Sequence, residues 1–296
     1  MKKQRVSESR ELLGSRVTLT VCARPDEREQ ARAALAAAFA ECTRIEQQFS
    51  RFLPQSELSR LNARLDEDVP VSAELYLLLA FAEQIRALTG GAFDITVQSI
   101  LAGWGYDAGY SLREGAPGST GMISLDRERQ SARLTAPIDL GALGKGYALD
   151  RMLPCFADFS DVLLDAGGDI YARGTDEQAK PWRLVFEHPT DTGRAIGEVA
   201  VQDGLFLAAS SPSRRAWRDR HHLVQPQRQA PAQDMLMAYV QASQGMVADA
   251  LSTALFVLGW ERAQRLLPQL DAEAMLVGPQ GKIYRTAGFA GELYLG

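Results

Sequence analysis

Hydrophobic and polar positions alternate in the manner of a strand over residues 15–21, "SRVTLTV", and the run stops before Pro25. From residue 26 to 49 the period lengthens. Ala34, Leu35, Ala38, Phe39 and Ile45 recur at helical spacing in an alanine-rich stretch, with Asp26 placed to cap its start. A second helix is expected over 72–88, where Leu75, Leu78, Leu79, Ala82 and Ile85 share one face and Gly90-Gly91 would end it. A Gly/Ser/Pro-rich loop covers 107–121, followed by three short strand patterns, "MISLD", "SARLT" and "PIDLG". Residues 146–156 read as a helix and "VLLDAGGDIYARG" as a buried strand. Further strand patterns stand at "PWRLVFEHP", "AIGEVAVQDGLFLAAS" and "MLMAYVQAS". A helix over 247–258, another over 261–267 and the strands "EAMLVG" and "KIYRT" complete the chain. Strands and helices are mixed without a strict βαβ rhythm, so the fold class is α+β. No linker divides the chain. The expectation is a polar tail over 1–11 and one unit over 12–296.

Composition narrows the chemistry. The chain has 32 Lys and Arg against 37 Asp and Glu, a formal charge of −5, which disfavours a nucleic-acid partner. Cys22, Cys42 and Cys155 lie far apart without a C-x-x-C pair, arguing against a disulfide scaffold and a structural zinc site. No apolar run reaches about 18 residues, so no membrane span is expected. The opening "MKKQRVSESRELLGS" reads as neither a signal peptide nor a lipoprotein leader. A cytoplasmic location is therefore expected, or a periplasmic one if an export signal has been removed.

The usual nucleotide cradles are missing. "GALGKGY" lacks the spacing of a P-loop, and no G-x-G-x-x-G follows a strand. What stands out instead is glycine beside aspartate in "TGGAFDIT", "IDLGALGKGYALD" and "DAGGDIYARG". Glycines let backbone amides approach an anion, and Lys145 adds a point charge suited to phosphate. Singly, each cluster is an ordinary turn or helix end; three together point to a phosphate-and-metal site. In "ADALSTAL", Asp249 and Thr253 are four apart on one helix face and offer the hard oxygens that Mg²⁺ prefers. The plainer alternative is that Asp249 caps the helix. His221 and His222 lie in the basic stretch "RRAWRDRHHLVQP", either a solvated loop or a cationic lip carrying a proton-transfer histidine. Asn62, the only asparagine, reads as a residue at a helix end.

In order, "LLGSRVTLTV", "FSRFLPQSELSRLN", "GGAFDITVQSILAGWGY", "IDLGALGKGYALDRM", "LLDAGGDIYARG", "PWRLVFEHP" and "ADALSTALFVLG" resemble the ApbE-type FAD:protein FMN transferase family over nearly the whole chain. The resemblance implies mixed sheets with packed helices in T-fold-like lobes, and an FAD cleft between them. It implies Mg²⁺-dependent transfer of FMN from FAD, as substrate, to a Thr or Ser hydroxyl of a separate acceptor flavoprotein, with AMP leaving. By the same resemblance Asp249, Thr253 and the Gly144 carbonyl would hold Mg²⁺, while His222 and Asp249 take catalytic roles. Ala92, Phe93 and Asp94 would meet the adenosine half of FAD. Gly141, Lys145 and Tyr147 would face phosphates and flavin, and Leu13 and Leu223 would also contact the dinucleotide.

Two segments depart from the family pattern. Ala208-Ala209-Ser210-Ser211 replaces A-T-S-G, and "HLVQP" puts Gln225 where an aspartate usually follows the histidine. A lower His222 pKa is expected without that carboxylate. The loop, with Arg214, Arg215, Arg218 and Arg220, should be more cationic and favour an acidic acceptor. Hydrolysis of FAD to FMN and AMP, or FAD binding without catalysis, are the alternative functions.

Overall fold

The computed structural model describes residues 2–107, 111–191, 193–213 and 215–294. Among them every strand pairing is antiparallel, and seven α-helices are distributed between the strands. β1 (Gln4–Leu12) and β2 (Ser15–Ala23) form a hairpin in unbroken register from Gln4↔Ala23 to Leu12↔Ser15. Residues 4–11, expected as part of a polar tail, belong to a paired strand. β1 is polar because it is an edge strand, at the end of the sheet with much of its length exposed.

The first helix, α1 (Arg28–Phe49), follows a 3₁₀ turn at Pro25–Glu27. Asp26 sits inside that turn and does not cap α1, whose N-cap position is Glu27 with no side-chain bond. α2 (Glu57–Asn62) and α3 (Ala73–Leu88) come next, and α3 is capped by Ser72, whose Oγ accepts the Leu75 N–H at 3.1 Å. A small sheet joins β3 (Val69–Pro70), β4 (Ile123–Asp126) and β5 (Ser131–Leu134), and the short helix α4 (Gln98–Gly103) lies between β3 and β4 in sequence. Residues 108–110 of the expected loop lie outside the described residues. "PIDLG" is not a strand. Its Ile138 N–H and C=O are instead paired, both at 2.9 Å, with the side-chain amide of Asn62, which imitates a neighbouring strand.

α5 (Gly144–Met152) gives way at Leu153 to a 3₁₀ turn containing Pro154, which cannot continue the helix ladder. The stretch expected as one strand is a hairpin. β6 (Val162–Ala166) turns at Gly167 and Gly168, both at positive φ, into β7 (Asp169–Arg173). β8 (Trp182–Glu187) and β9 (Ala195–Val201) leave the main sheet and pair with each other. β10 (Leu205–Ser210) returns to pair with β7. Two short ribbons follow: β11 (Ala216–Trp217) with β12 (Arg220–His221), and β13 (Val224–Gln225) with β14 (Ala230–Pro231). β15 (Met237–Ala242), α6 (Gly245–Leu258), α7 (Trp260–Leu266), β16 (Glu273–Val277), β17 (Ile283–Arg285) and β18 (Glu292–Leu293) complete the order.

The main sheet runs β1-β2-β6-β7-β10-β15-β16-β17. Alternate residues of its central strands enter two cores. Phe206, Ala208, Ala238, Val240 and Leu276 meet the helices, whereas Leu207, Met237, Tyr239 and Met275 meet Trp182, Leu184, Phe186 and Val199 of the β8–β9 hairpin. Burial on both faces explains the nearly continuous apolar runs in β15 and β16. The helix pair α5 and α6 meets at glycines. A Cβ on Gly146 would collide with the Gly245 carbonyl, and one on Gly245 would lie 2.5 Å from the Gly146 oxygen. The backbones touch, and residues flanking the crossing are forced together.

Gly146→Ala is expected to destabilise the protein by about 3 kcal/mol, since backbone cannot yield as a side chain can; a melting temperature like the wild type's would refute the contact. Deleting residues 1–11 should lower the melting temperature by more than about 4 °C, because a paired strand is lost. An unchanged melt would restore the tail reading.

Candidate functional site

One cavity of about 840 Å³ is lined by Leu13, Ala92, Phe93, Asp94, Gly141, Gly144, Lys145, Tyr147, His222, Leu223, Asp249 and Thr253. All the site residues proposed from the sequence therefore share one cavity, although they come from the β1–β2 turn, the segment after α3, the start of α5, the β12–β13 connection and α6.

At its centre the α5–α6 crossing sets Lys145 against Asp249. Lys145 Nζ donates to both Asp249 oxygens at 3.1 and 3.2 Å, and the Gly146 N–H donates to Asp249 Oδ2 at 3.0 Å. Asp249 is not a helix cap. It is the fifth residue of α6, buried, while Gln244 holds the N-cap position. The capping alternative is thereby removed. Asp169, which opens β7 after the glycine turn, closes the group with Oδ2 2.6 Å from Lys145 Nζ, in ion-pair range but without hydrogen-bond geometry. Burial raises the Asp169 pKa, as does the nearby Asp249, with Lys145 opposing both. Burial also works against the Lys145 charge, but the two carboxylates outweigh it and keep the ammonium protonated. Two buried carboxylates thus share one part-buried cation.

Thr253 lies one turn after Asp249, and its hydroxyl is 3.1 Å from Ser210 Oγ, which also meets Ser252 Oγ at 2.9 Å. Ser210 is where β10 ends, in the departing segment "AASS". Among the described residues, no group of three His, Cys, Asp or Glu side chains forms a metal cage. The donors present suit a different arrangement. A carboxylate and a hydroxyl on one helix face, beside a Gly144 around which a Cβ would meet nothing within 4 Å, fit Mg²⁺, which retains waters and phosphate oxygens. The buried Asp169 carboxylate, 2.6 Å from Lys145 Nζ, brings a second negative charge to the same spot.

The remaining walls are braced from behind. Leu13 adopts a left-handed conformation, φ 55°, in the two-residue β1–β2 turn, and its N–H is held by Glu46 Oε1 at 2.6 Å. The Asp94 carboxylate is buried, accepts from Thr96 N and Oγ1 at 2.8 and 2.6 Å, and lies 3.3 Å from Arg86 Nε, so it shapes its segment. The Tyr147 hydroxyl donates to Glu74, which Arg44 also grips; the ring meets Phe49 edge-on.

The two histidines have separate duties. His221 is structural: Nε2 meets the Ala232 carbonyl at 2.9 Å and Nδ1 accepts the Leu223 N–H at 3.2 Å, which defines a neutral Nε2–H tautomer. His222 lines the cavity, and its buried Nδ1 has no hydrogen-bond partner. Its pKa is lowered to about 3, first by burial and next by the charge of Arg215. The main cause is burial and not the residue at 225, where the buried Gln225 Oε1 is also unpartnered. Arg215 lines the cavity, whereas Arg220 pairs with Glu114 at 2.7 Å and sits over Trp104. Arg214 lies outside the described residues. The lip is less free to meet an acceptor than the run of arginines suggests.

The ApbE family profile matches residues 13–276. The chain belongs to the ApbE family. It is 30% identical over 260 residues to the FAD:protein FMN transferase of Haemophilus influenzae, covering 79% of this chain and 75% of that one. Against the FAD:protein FMN transferase of Escherichia coli K12 it is 26% identical over 264 residues, covering 81% and 75%. The crystal structure of the ApbE protein of Thermotoga maritima superposes with a TM-score of 0.86 at 27% identity, covering 96% of this chain and 97% of that one. The flavin transferase ApbE of Vibrio cholerae shares the fold, with a TM-score of 0.82 at 20% identity over 97% and 98%. The α+β fold is accordingly that of ApbE crystal structures. Two residues at the site were not singled out from the sequence: Asp169, against Lys145, and Arg51, on the cavity lining. The first stands inside "DAGGDIYARG" and the second inside "FSRFLPQSELSRLN", so the ApbE-like segments contained them while their pairing was invisible.

Folded His222 stays neutral down to about pH 3, whereas unfolded it protonates near 6.5. In that window the unfolded state binds the extra proton, so stability falls as pH falls. His222→Gln should therefore lose less melting temperature than the wild type between about pH 7 and about pH 4. Parallel losses would mean that the imidazole is not buried neutral.

Proposed function

We propose that the cavity holds FAD and that this protein transfers the FMN half to a Thr or Ser hydroxyl of a separate acceptor protein in a Mg²⁺-dependent reaction. The observation that supports this best is the convergence on one cavity of a glycine loop, Lys145, the Asp249–Thr253 pair and a neutral imidazole nitrogen without a partner. In this reading the cleft between two T-fold-like lobes takes the dinucleotide. The Ala92–Asp94 segment and Leu13 meet its adenosine half, while Gly141, Lys145, Tyr147 and Leu223 meet phosphates and flavin.

Phosphoryl transfer is largely a matter of placing charges and aligning groups. Asp249, Thr253 and the Gly144 carbonyl would hold Mg²⁺, which when bound gathers pyrophosphate oxygens and withdraws their charge. Lys145 brings a positive charge to the same place. The acceptor oxygen forms a bond to the FMN phosphorus, the bond from that phosphorus to the bridging oxygen breaks, and AMP departs. The acceptor hydroxyl proton must go to a base. Neutral His222, with an open Nδ1, can receive it within the cavity. Arg215, on the same wall, is read as a partner of the FAD phosphates rather than of the acceptor, which revises the expected role of the cationic lip.

Incubation with FAD, Mg²⁺ and a panel of candidate acceptors, followed by intact-mass measurement, tests the reading. An acceptor gaining one FMN with release of AMP is expected. FMN and AMP without a modified acceptor would make the protein a hydrolase, and unchanged FAD would make it a binding protein. Arg215→Gln should weaken FAD binding roughly tenfold, as loss of a charged phosphate contact does. Unaltered FAD affinity with impaired transfer would return Arg215 to the acceptor.

A further inference from the structure

Arg51 carries a buried charge for which the proposed reaction gives no role. Its side chain is 3% exposed, with Nε donating to Asp139 Oδ2 at 2.7 Å and Nη2 to the Tyr106 carbonyl at 3.0 Å. The guanidinium also lies over the rings of Phe52 and Tyr106, at 4.1 and 5.2 Å from their centroids. Each partner belongs to a different wall. The other Asp139 oxygen accepts the Gly141 N–H at 2.8 Å, and the Asp139 N–H donates to Ile95 O at 2.8 Å, which shapes the glycine loop leading into α5. Tyr106 stacks on Trp217 at 5.4 Å and 15°, and the Trp217 indole donates to Trp104 O at 3.2 Å. Trp217 belongs to the β11–β12 ribbon that leads into His222.

We propose that Arg51 is a positioning residue whose single guanidinium fixes the glycine loop at 139–144 and the aromatic wall of Tyr106 and Trp217 relative to each other, and so sets the cavity to the shape FAD requires. The inference rests on the reading that this loop faces FAD. Arginine suits the task where lysine does not. Its planar fork bonds a carboxylate and a carbonyl in different directions while its face stacks on aromatic rings. Lysine could keep the charge opposite Asp139 but not the whole junction. Removing the charge would leave the part-buried Asp139 without its cation, and a displaced loop would misplace the Gly141 and Lys145 contacts.

The test compares Arg51→Lys and Arg51→Met with the wild type in FAD calorimetry, thermal melting and turnover. Arg51→Lys is expected to fold, to bind FAD roughly tenfold more weakly and to lose less in kcat than in kcat/KM; Arg51→Met should lose up to about a hundredfold in affinity. A purely structural role would lower the melting temperature but leave the FAD Kd of folded protein unchanged, and that result overturns the inference. If Arg51→Met fails to fold, the Lys variant decides by the same criterion. A wild type that binds no FAD would overturn the proposed function, and this inference with it; that is distinct from a wild type and a Lys variant that bind FAD equally.

Discussion

The contact between Gly146 of α5 and Gly245 of α6 is the constraint on which the site depends. Side chains at either position would hold the helices apart, and Lys145 would no longer reach the carboxylate of Asp249. The Gly146 N–H belongs to the first turn of α5, where helix amides have no partner within the helix. Asp249, rising from inside α6, supplies an acceptor to it. One carboxylate therefore joins two helices, completes a helix start and faces a cavity. Close backbone packing in this case creates chemistry as well as stability.

Electrostatics then determines what the site can receive. Asp169 and Asp249 set two carboxylates against one ammonium; both carboxylates are buried and the Lys145 side chain is 15% exposed. Buried charges are costly unless compensated, so an unbalanced group is stable only if a proton or a cation joins it. The raised pKa of Asp169 is one expression of that imbalance. A divalent cation would be another, and it would free Lys145 to turn toward a phosphate. The polarity is suited to an anion that arrives with its own metal.

Much of the fold could be read locally. α1 and α3 were legible through periodic apolar residues. The errors share a cause: partners distant in sequence. β1 read as a tail because an edge strand exposed to water has little apolar alternation. "PIDLG" has the pattern of a short strand, but its backbone at Ile138 is paired by the side chain of Asn62, 76 residues away in sequence. The site followed the same rule. Asp249 and Thr253 were visible because they share a helix face, and the ordered motifs brought their cavity partners with them. Asp169 and Arg51 were not, since their meaning depends on Lys145 and Asp139 reached through the fold.

The departures at 208–211 and 225 follow from the same physics. Replacing an aspartate by Gln225 removes a carboxylate that could have held His222 charged. Yet burial and Arg215 already disfavour the imidazolium strongly. A charged histidine has no lone pair to offer, whereas a neutral one with an unpartnered Nδ1 does. Burial and Arg215 thus leave the imidazole in the neutral state a base requires. On β10, Ser210 contributes a hydroxyl that bonds both Ser252 and Thr253, so the strand end is tied directly to the helix bearing Asp249. What this chain lacks in its histidine loop it retains in that tie. The end of β10 and the Asp249–Thr253 face of α6 are thereby joined side chain to side chain.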